Sequence, residues 1–141
     1  LVTAKGSGLA VTPAALTGKT VGTLSGTAVS SFIKTQWSDT DRREYPSWDE
    51  AWIDLTAGRI DAILGYKSQL VTTYLSKPEN AAAYEIVGNL EDPSFQAPEF
   101  AVVFNKDKHP FLPKVDEALA SLRADGTFDQ VIKKYFPDEQ K

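Results

Sequence analysis

Apolar positions along the chain change their period several times, and each change marks an element. Thr20–Leu24 is a short apolar run of strand length. Ser25-Gly26-Thr27 interrupts it, and Val29, Phe32 and Ile33 then recur at helical spacing through Gln36. Leu1–Lys5 reads as a strand entering a Gly6-Ser7-Gly8 loop, and Thr12-Pro13-Ala14-Ala15-Leu16 as an N-capped turn with proline at its first helical position. A short strand is expected near Arg43–Tyr45. After Pro46, Ser47 and Glu50 have the spacing of a capping box, with Trp48, Ala51, Trp52 and Leu55 on one helical face. Gly58 stands where a left-handed cap ends that helix. Further on the pattern predicts a buried strand over Ile60–Gly65 and a helix over Lys67–Ser76 that Lys77-Pro78-Glu79-Asn80 ends. A strand over Tyr84–Val87, a polar loop over Asn89–Pro98 and a strand over Phe100–Phe104 follow. Two amphipathic helices close the chain, Pro110–Ala124 and, after Asp125-Gly126, one carrying Phe128, Val131, Ile132, Tyr135 and Phe136.

Strands that alternate with helices and are apolar throughout predict an α/β fold, a mainly parallel sheet flanked by helices. The alternation stops near Phe100–Asn105, which divides the chain into residues 1–104 and a helical tail, 105–141. A length of 141 residues, with 42% hydrophobic and 24% charged residues, suits a domain that builds its core without staples. Net charge is -4, and no basic stripe offers itself to nucleic acid or to an anionic membrane surface. Cysteine is absent, which removes disulfides and thiolate metal sites from consideration. Methionine is absent as well, so the chain reads as processed, cut or built as a fragment, and it begins with no signal-peptide pattern.

The strand-turn-helix junction at Ser25-Gly26-Thr27 is the leading candidate site. Such a corner aims unpaired N–H groups and the positive end of a helix dipole at one point, which suits a small carboxylate. Capture needs no catalytic residue. The bland alternative is that Ser25 only caps the helix. Asp61, beside Arg59 at a strand entrance, reads as a turn or ion-pair residue rather than a catalytic one. Trp48 and Trp52 read as core rather than an aromatic cage, whereas Trp37 fits a cleft or an interface equally well. His109 has no second ligand nearby in sequence and is not expected to bind metal or act as a base. Asp39, Asp41, Glu44, Asp49 and Glu50 lack the spacing of a calcium loop. Neither a phosphate loop nor a nucleophile elbow occurs. No metal and no cofactor are expected.

Three segments together resemble the type II periplasmic solute-binding proteins of the family 3 group, tied to polar amino acid uptake. They are Leu16–Gly22 with Ser25-Gly26-Thr27, then Trp48–Tyr66 with Leu55-Thr56-Ala57-Gly58-Arg59-Ile60-Asp61-Ala62 at its heart, and Ala118 to Phe136 with Arg123-Ala124-Asp125-Gly126-Thr127-Phe128. The resemblance implies a lobe of the periplasmic-binding-protein type II fold: a second lobe and its C-terminal helices, without the first lobe that would form the opposite wall of a cleft. It implies an extracytoplasmic, non-enzymatic binding module, working with an ABC permease and taking an amino acid or related carboxylate. The tail would pack on the missing lobe or on a second copy of the chain. By the same resemblance Ser25-Gly26-Thr27 contacts the ligand carboxylate, and Tyr66 and Lys67 line the site. Many members place an aspartate where Tyr66 stands, to pair with the ligand ammonium. The departure favours a ligand without a primary ammonium, with a quaternary amine, or with an additional acid that Lys67 could answer; Lys67 is otherwise a solvated residue. A sensory input domain of a membrane receptor or kinase shares the lobe design, as do a few dehydratase-like enzymes.

Overall fold

Strand β2, Thr20–Leu24, organises the first part of the molecule. The computed structural model describes residues 1–95, 102, 104, 105 and 110–135. The strand expected over Phe100–Phe104 falls largely outside these residues, as do His109 and the chain after Tyr135. Two compact units divide the chain, Leu1–Pro98 and Glu99–Lys141.

In the first unit, β2 pairs in parallel with β3 (Asp41–Tyr45) on one side and with β4 (Ala62–Ile63) on the other. β1 (Val2–Ala4) runs antiparallel to β4 and to β5 (Tyr84–Ile86), giving the order β3-β2-β4-β1-β5. Four of the five strands therefore share one direction and β1 opposes them, so the sheet is mixed.

Alternation along the strands fills both faces, as a sheet covered on two sides requires. Leu1, Val21, Ala62 and Leu64 join one buried cluster with Val29, Phe32 and Ile33 of α2 (Ala28–Gln36). Val2, Ile63 and Tyr45 join the other, with Ala51 and Leu55 of α3 (Trp48–Thr56). Thr12 caps the short α1 (Pro13–Leu16) by accepting from the Ala15 N–H at 3.3 Å. Ser47 accepts from the Glu50 N–H at 3.3 Å, so the expected box supplies its N-cap. Gly58 takes a φ of 67° as α3 ends.

The helix expected over Lys67–Ser76 is α only through Leu70 (α4, Lys67–Leu70) and widens to a π turn over Val71–Leu75. That turn carries buried Tyr74, whose hydroxyl donates to Asp49 at 2.6 Å and whose ring stacks on Trp52 at 4.7 Å. That helical stretch ends at Leu75, before Lys77-Pro78-Glu79-Asn80 as expected, and Pro78 has a second role. It opens α5 (Pro78–Ala83), where its missing N–H would have had no helical partner. Trp48 and Trp52 are half-buried against the core, and Trp37 is buried edge-on to Phe32 at 5.2 Å.

The second unit contains α6 (Leu112–Ala124) and α7 (Thr127–Tyr135), turned at Gly126 with a φ of 77°. Phe111, Leu112, Leu119, Leu122, Val131 and Tyr135 are exposed large apolar residues of this unit. No helix among the described residues is long and apolar enough to cross a membrane.

Ile63 is fully buried at the centre of the second cluster. Replacing it with alanine should destabilise the chain by about 2–5 kcal/mol in urea unfolding. Ile53→Ser, at a position 57% exposed on α3, should change stability by less than about 0.5 kcal/mol. Equal effects from the two would contradict this placement of the core.

Candidate functional site

β2 and β4 are adjacent and parallel, so their carboxyl ends leave the sheet along the same edge. The turn after β2 is Ser25-Gly26-Thr27 and the segment after β4 is Leu64-Gly65-Tyr66-Lys67. In open α/β sheets this edge is where ligands bind. Ser25 and Gly26 are exposed, and the space beside the Gly26 Cα is empty to 4 Å. Its φ of 72° is a conformation that glycine adopts without strain.

Thr27, not Ser25, is the N-cap of α2. Its Oγ1 accepts from the Ser30 N–H at 3.2 Å and donates to the Leu24 carbonyl at 2.8 Å. The Ser25 N–H is bonded to the Tyr45 carbonyl at 2.9 Å, which leaves the hydroxyl clear of capping. By helix geometry the N–H groups of Ala28 and Val29 precede the first intrahelical bonds.

Glu44, which the spacing of the acidic residues marks for no metal loop and for no other role, occupies part of this corner. Its carboxylate accepts from the Ser30 hydroxyl at 2.5 Å and pairs with Arg42 at 2.7 Å. Arg42 also donates to the Ser30 hydroxyl, and the Gly26 N–H bonds to the same carboxylate. The Ser30 hydroxyl, with Arg42 and Gly26 behind it, holds Glu44 below the usual glutamate value. One donor of the expected anion corner therefore already carries an internal carboxylate. The alternation Arg42-x-Glu44 puts both residues on one side of β3, and that was the available sequence signal.

Beside this corner lies a cavity of about 170 Å³. Val29 of α2, Leu64, Gly65, Tyr66 and Lys67 after β4, and Leu70 of α4 form one part of its wall. Leu1, Val2, Ile86, Gly88, Asn89, Leu90 and Phe95 also line it. Tyr66 and Lys67 are thus brought together with the first turn of α2, whereas Ser25, Gly26 and Thr27 do not line the cavity. The Leu1 nitrogen donates to the Gly88 carbonyl at 2.8 Å. Trp48 fixes the approach to Tyr66: a Cβ at Gly65 would stand 2.2 Å from the Trp48 ring, whose Nε1 donates to Gln69 at 2.8 Å.

Asp61 lies at the opposite end of β4 and is structural. It accepts from the Thr20 N–H at 2.8 Å and pairs with Lys19 at 3.7 Å, while Arg59 pairs with Asp54 instead. Among the described residues no group of three or more acidic or histidine side chains could hold a metal ion.

Gly65→Ala should destabilise the chain by about 1–3 kcal/mol through overpacking against Trp48. Adding Trp48→Leu should recover part of that loss; urea midpoints that do not move would refute the contact. Glu44 has a depressed pKa, so its contribution is present above the ordinary value of 4.5 and is lost as pH falls through the depressed one. The stability gap between wild type and Glu44→Gln should accordingly be largest at neutral pH and close in acid. A gap independent of pH would show that the carboxylate is not held there.

No family model matches the chain. It is 31% identical over 122 residues to the Escherichia coli protein named ABC transporter arginine-binding protein 1, covering 86% of this chain and 49% of that protein. To the histidine-binding periplasmic protein of Salmonella typhimurium it is 32% identical over 139 residues, covering 96% of this chain and 53% of that one. Among solved structures it is similar to a Salmonella typhimurium periplasmic binding protein described for high arginine specificity, with a TM-score of 0.72 and 25% identity. That match covers 96% of this chain and 58% of the other. The chain spans about half the length of the curated relatives it matches. Over that half, the chain is homologous to the type II periplasmic solute-binding proteins of the family 3, polar amino acid group.

Proposed function

We propose that this chain is the second ligand lobe, residues 1–104, and the C-terminal helical tail, residues 105–141, of an extracytoplasmic solute-binding protein. It captures a small carboxylate-bearing, amino-acid-like ligand for an ABC importer and performs no chemistry on it. The observation that carries this reading is the meeting, at one sheet edge, of the exposed Ser25-Gly26-Thr27 turn and the cavity bounded by Tyr66 and Lys67. The names of the relatives, arginine- and histidine-binding proteins of transporters and of the periplasm, support the same role and location.

In this reading the ligand meets the Ser25 hydroxyl, the turn at Gly26 and Thr27, and the first-turn N–H groups of α2. Tyr66 and Lys67 face it from the segment after β4. A second lobe closes over it from the other side, and the difference in contacts between closed and open forms sets the population a permease reads. Leu112, Leu119 and Leu122 of α6 and Val131 and Tyr135 of α7 are exposed, and contiguous apolar surface of this kind is what soluble monomers cover. We assign that face to the rest of the protein, with a second copy of the chain as substitute when the rest is missing.

Half the contacts give roughly half the binding free energy, which takes a micromolar site to about millimolar. Calorimetry on this chain alone should therefore find at best such weak binding, and light scattering should find it self-associating as concentration rises. Sub-micromolar affinity from the isolated chain, or a clean monomer at high concentration, would overturn the proposal that a second lobe completes it.

A further inference from the structure

Resting on the reading of the chain as half of a small-molecule site, we infer that the cavity beside Tyr66 and Lys67 takes the anionic end of an apolar carboxylate, and not the cationic end of a basic amino acid. Among the described residues, Tyr66 and Lys67 are the only ionisable side chains that line it, and no carboxylate does. The Lys67 ammonium forms no ion pair or hydrogen bond with another described residue. A guanidinium or ammonium entering here would lose water, find no counter-charge in this wall and stand near a like charge, the arrangement that desolvation penalises most.

Glu44 does not supply the missing counter-charge. It lies outside the lining and is already engaged by Ser30, Arg42 and the Gly26 N–H. Asn89 apart, the other described lining side chains are apolar, with Leu64, Leu70, Leu90 and Phe95 among them. The cavity volume of about 170 Å³ equals that of about five or six waters in the liquid, which suits a short branched carbon chain. The chemistry of this wall thus differs from what the names of the arginine- and histidine-binding relatives would suggest.

Amide NMR titration of the 141-residue chain tests this with three probes: isocaproate, isohexylamine and arginine. Isocaproate should shift the amides of Val29, Gly65 and Lys67 saturably and bind about tenfold or more tighter than either cation, a difference of about 1.4 kcal/mol. Lys67→Gln should remove most of that preference, and Lys67→Glu should turn it toward isohexylamine, with amide dispersion showing that both variants fold. Arginine or isohexylamine binding at the same amides as tightly as isocaproate would overturn the inference and leave the binding-module reading standing. A preference that survives both Lys67 substitutions would also overturn it. If none of the three probes moves those amides, the inference falls, while the binding-module reading, which expects at best millimolar affinity from one lobe alone, stands.

Discussion

Everything at the candidate site depends on the parallel alignment of β2 with β4. The register places Val21 opposite Ala62 and Gly22 opposite Ile63, and the Leu64 N–H donates to the Gly22 carbonyl at 2.9 Å. A shift of one residue would turn Ile63 and Leu64 to the wrong faces and carry Tyr66 and Lys67 away from α2. Gly22 makes the alignment possible. A Cβ there would stand 2.7 Å from the Ile60 side chain and 3.1 Å from the Tyr45 ring, so a residue with a side chain would push apart the packing that sets the strands. At the entry end of the pair, Asp61 fastens the Thr20 N–H, and its own N–H donates to the Thr20 carbonyl at 2.8 Å. The carboxylate most open to a catalytic reading thus serves the register, at the far end of the strands from the cavity.

Charge is distributed unevenly along that edge. The first turn of α2 carries the positive end of a helix dipole, and one of its neighbouring donors is bonded to Glu44. Arg42 balances that acid on its other side. The three-way contact of Glu44, Arg42 and Ser30 is therefore close to neutral and ties β3 to α2 rather than recruiting an external ion. Lys67 has no such internal balance. Lys67 is thus the one charged side chain among the described residues of the cavity wall, beside a corner that has been partly filled from within.

Much of this arrangement was legible in contiguous sequence. The strand at Thr20–Leu24, the glycine at position 26 and the spacing of Val29, Phe32 and Ile33 lie side by side, and each element is local. Long-range choices were less visible. Val2 pairs with Ile63 and Ile86, and nothing in Leu1–Lys5 states that this strand runs against its neighbours. The Lys77-Pro78 break shows where the preceding helix ends but not that a further helix follows, although proline is tolerated in a first turn and α5 begins on it. Ser25 and Thr27 compete for one cap, and the left-handed Gly26 between them gives it to Thr27. Glu44 was hidden because alternation on β3 says which residues share a side but not that α2 covers that side.

A cavity open on one side limits what this wall can achieve by itself. Apolar burial contributes about 25 cal/mol for each Å² removed from water, but a ligand resting in an open half-site keeps much of its own surface wet. An ion pair at Lys67 is weakened in the same way, since its strength rises as water leaves. Closure by a second surface would dry the ligand body and strengthen the charge contact in one step, so the two gains are coupled rather than additive. That coupling would let a site with one unbalanced ammonium, a partly filled anion corner and an apolar floor belong to a protein whose relatives are named for binding arginine or histidine. Selectivity by sign follows from this wall, because an unpaired cation is penalised more heavily the drier the closed site becomes.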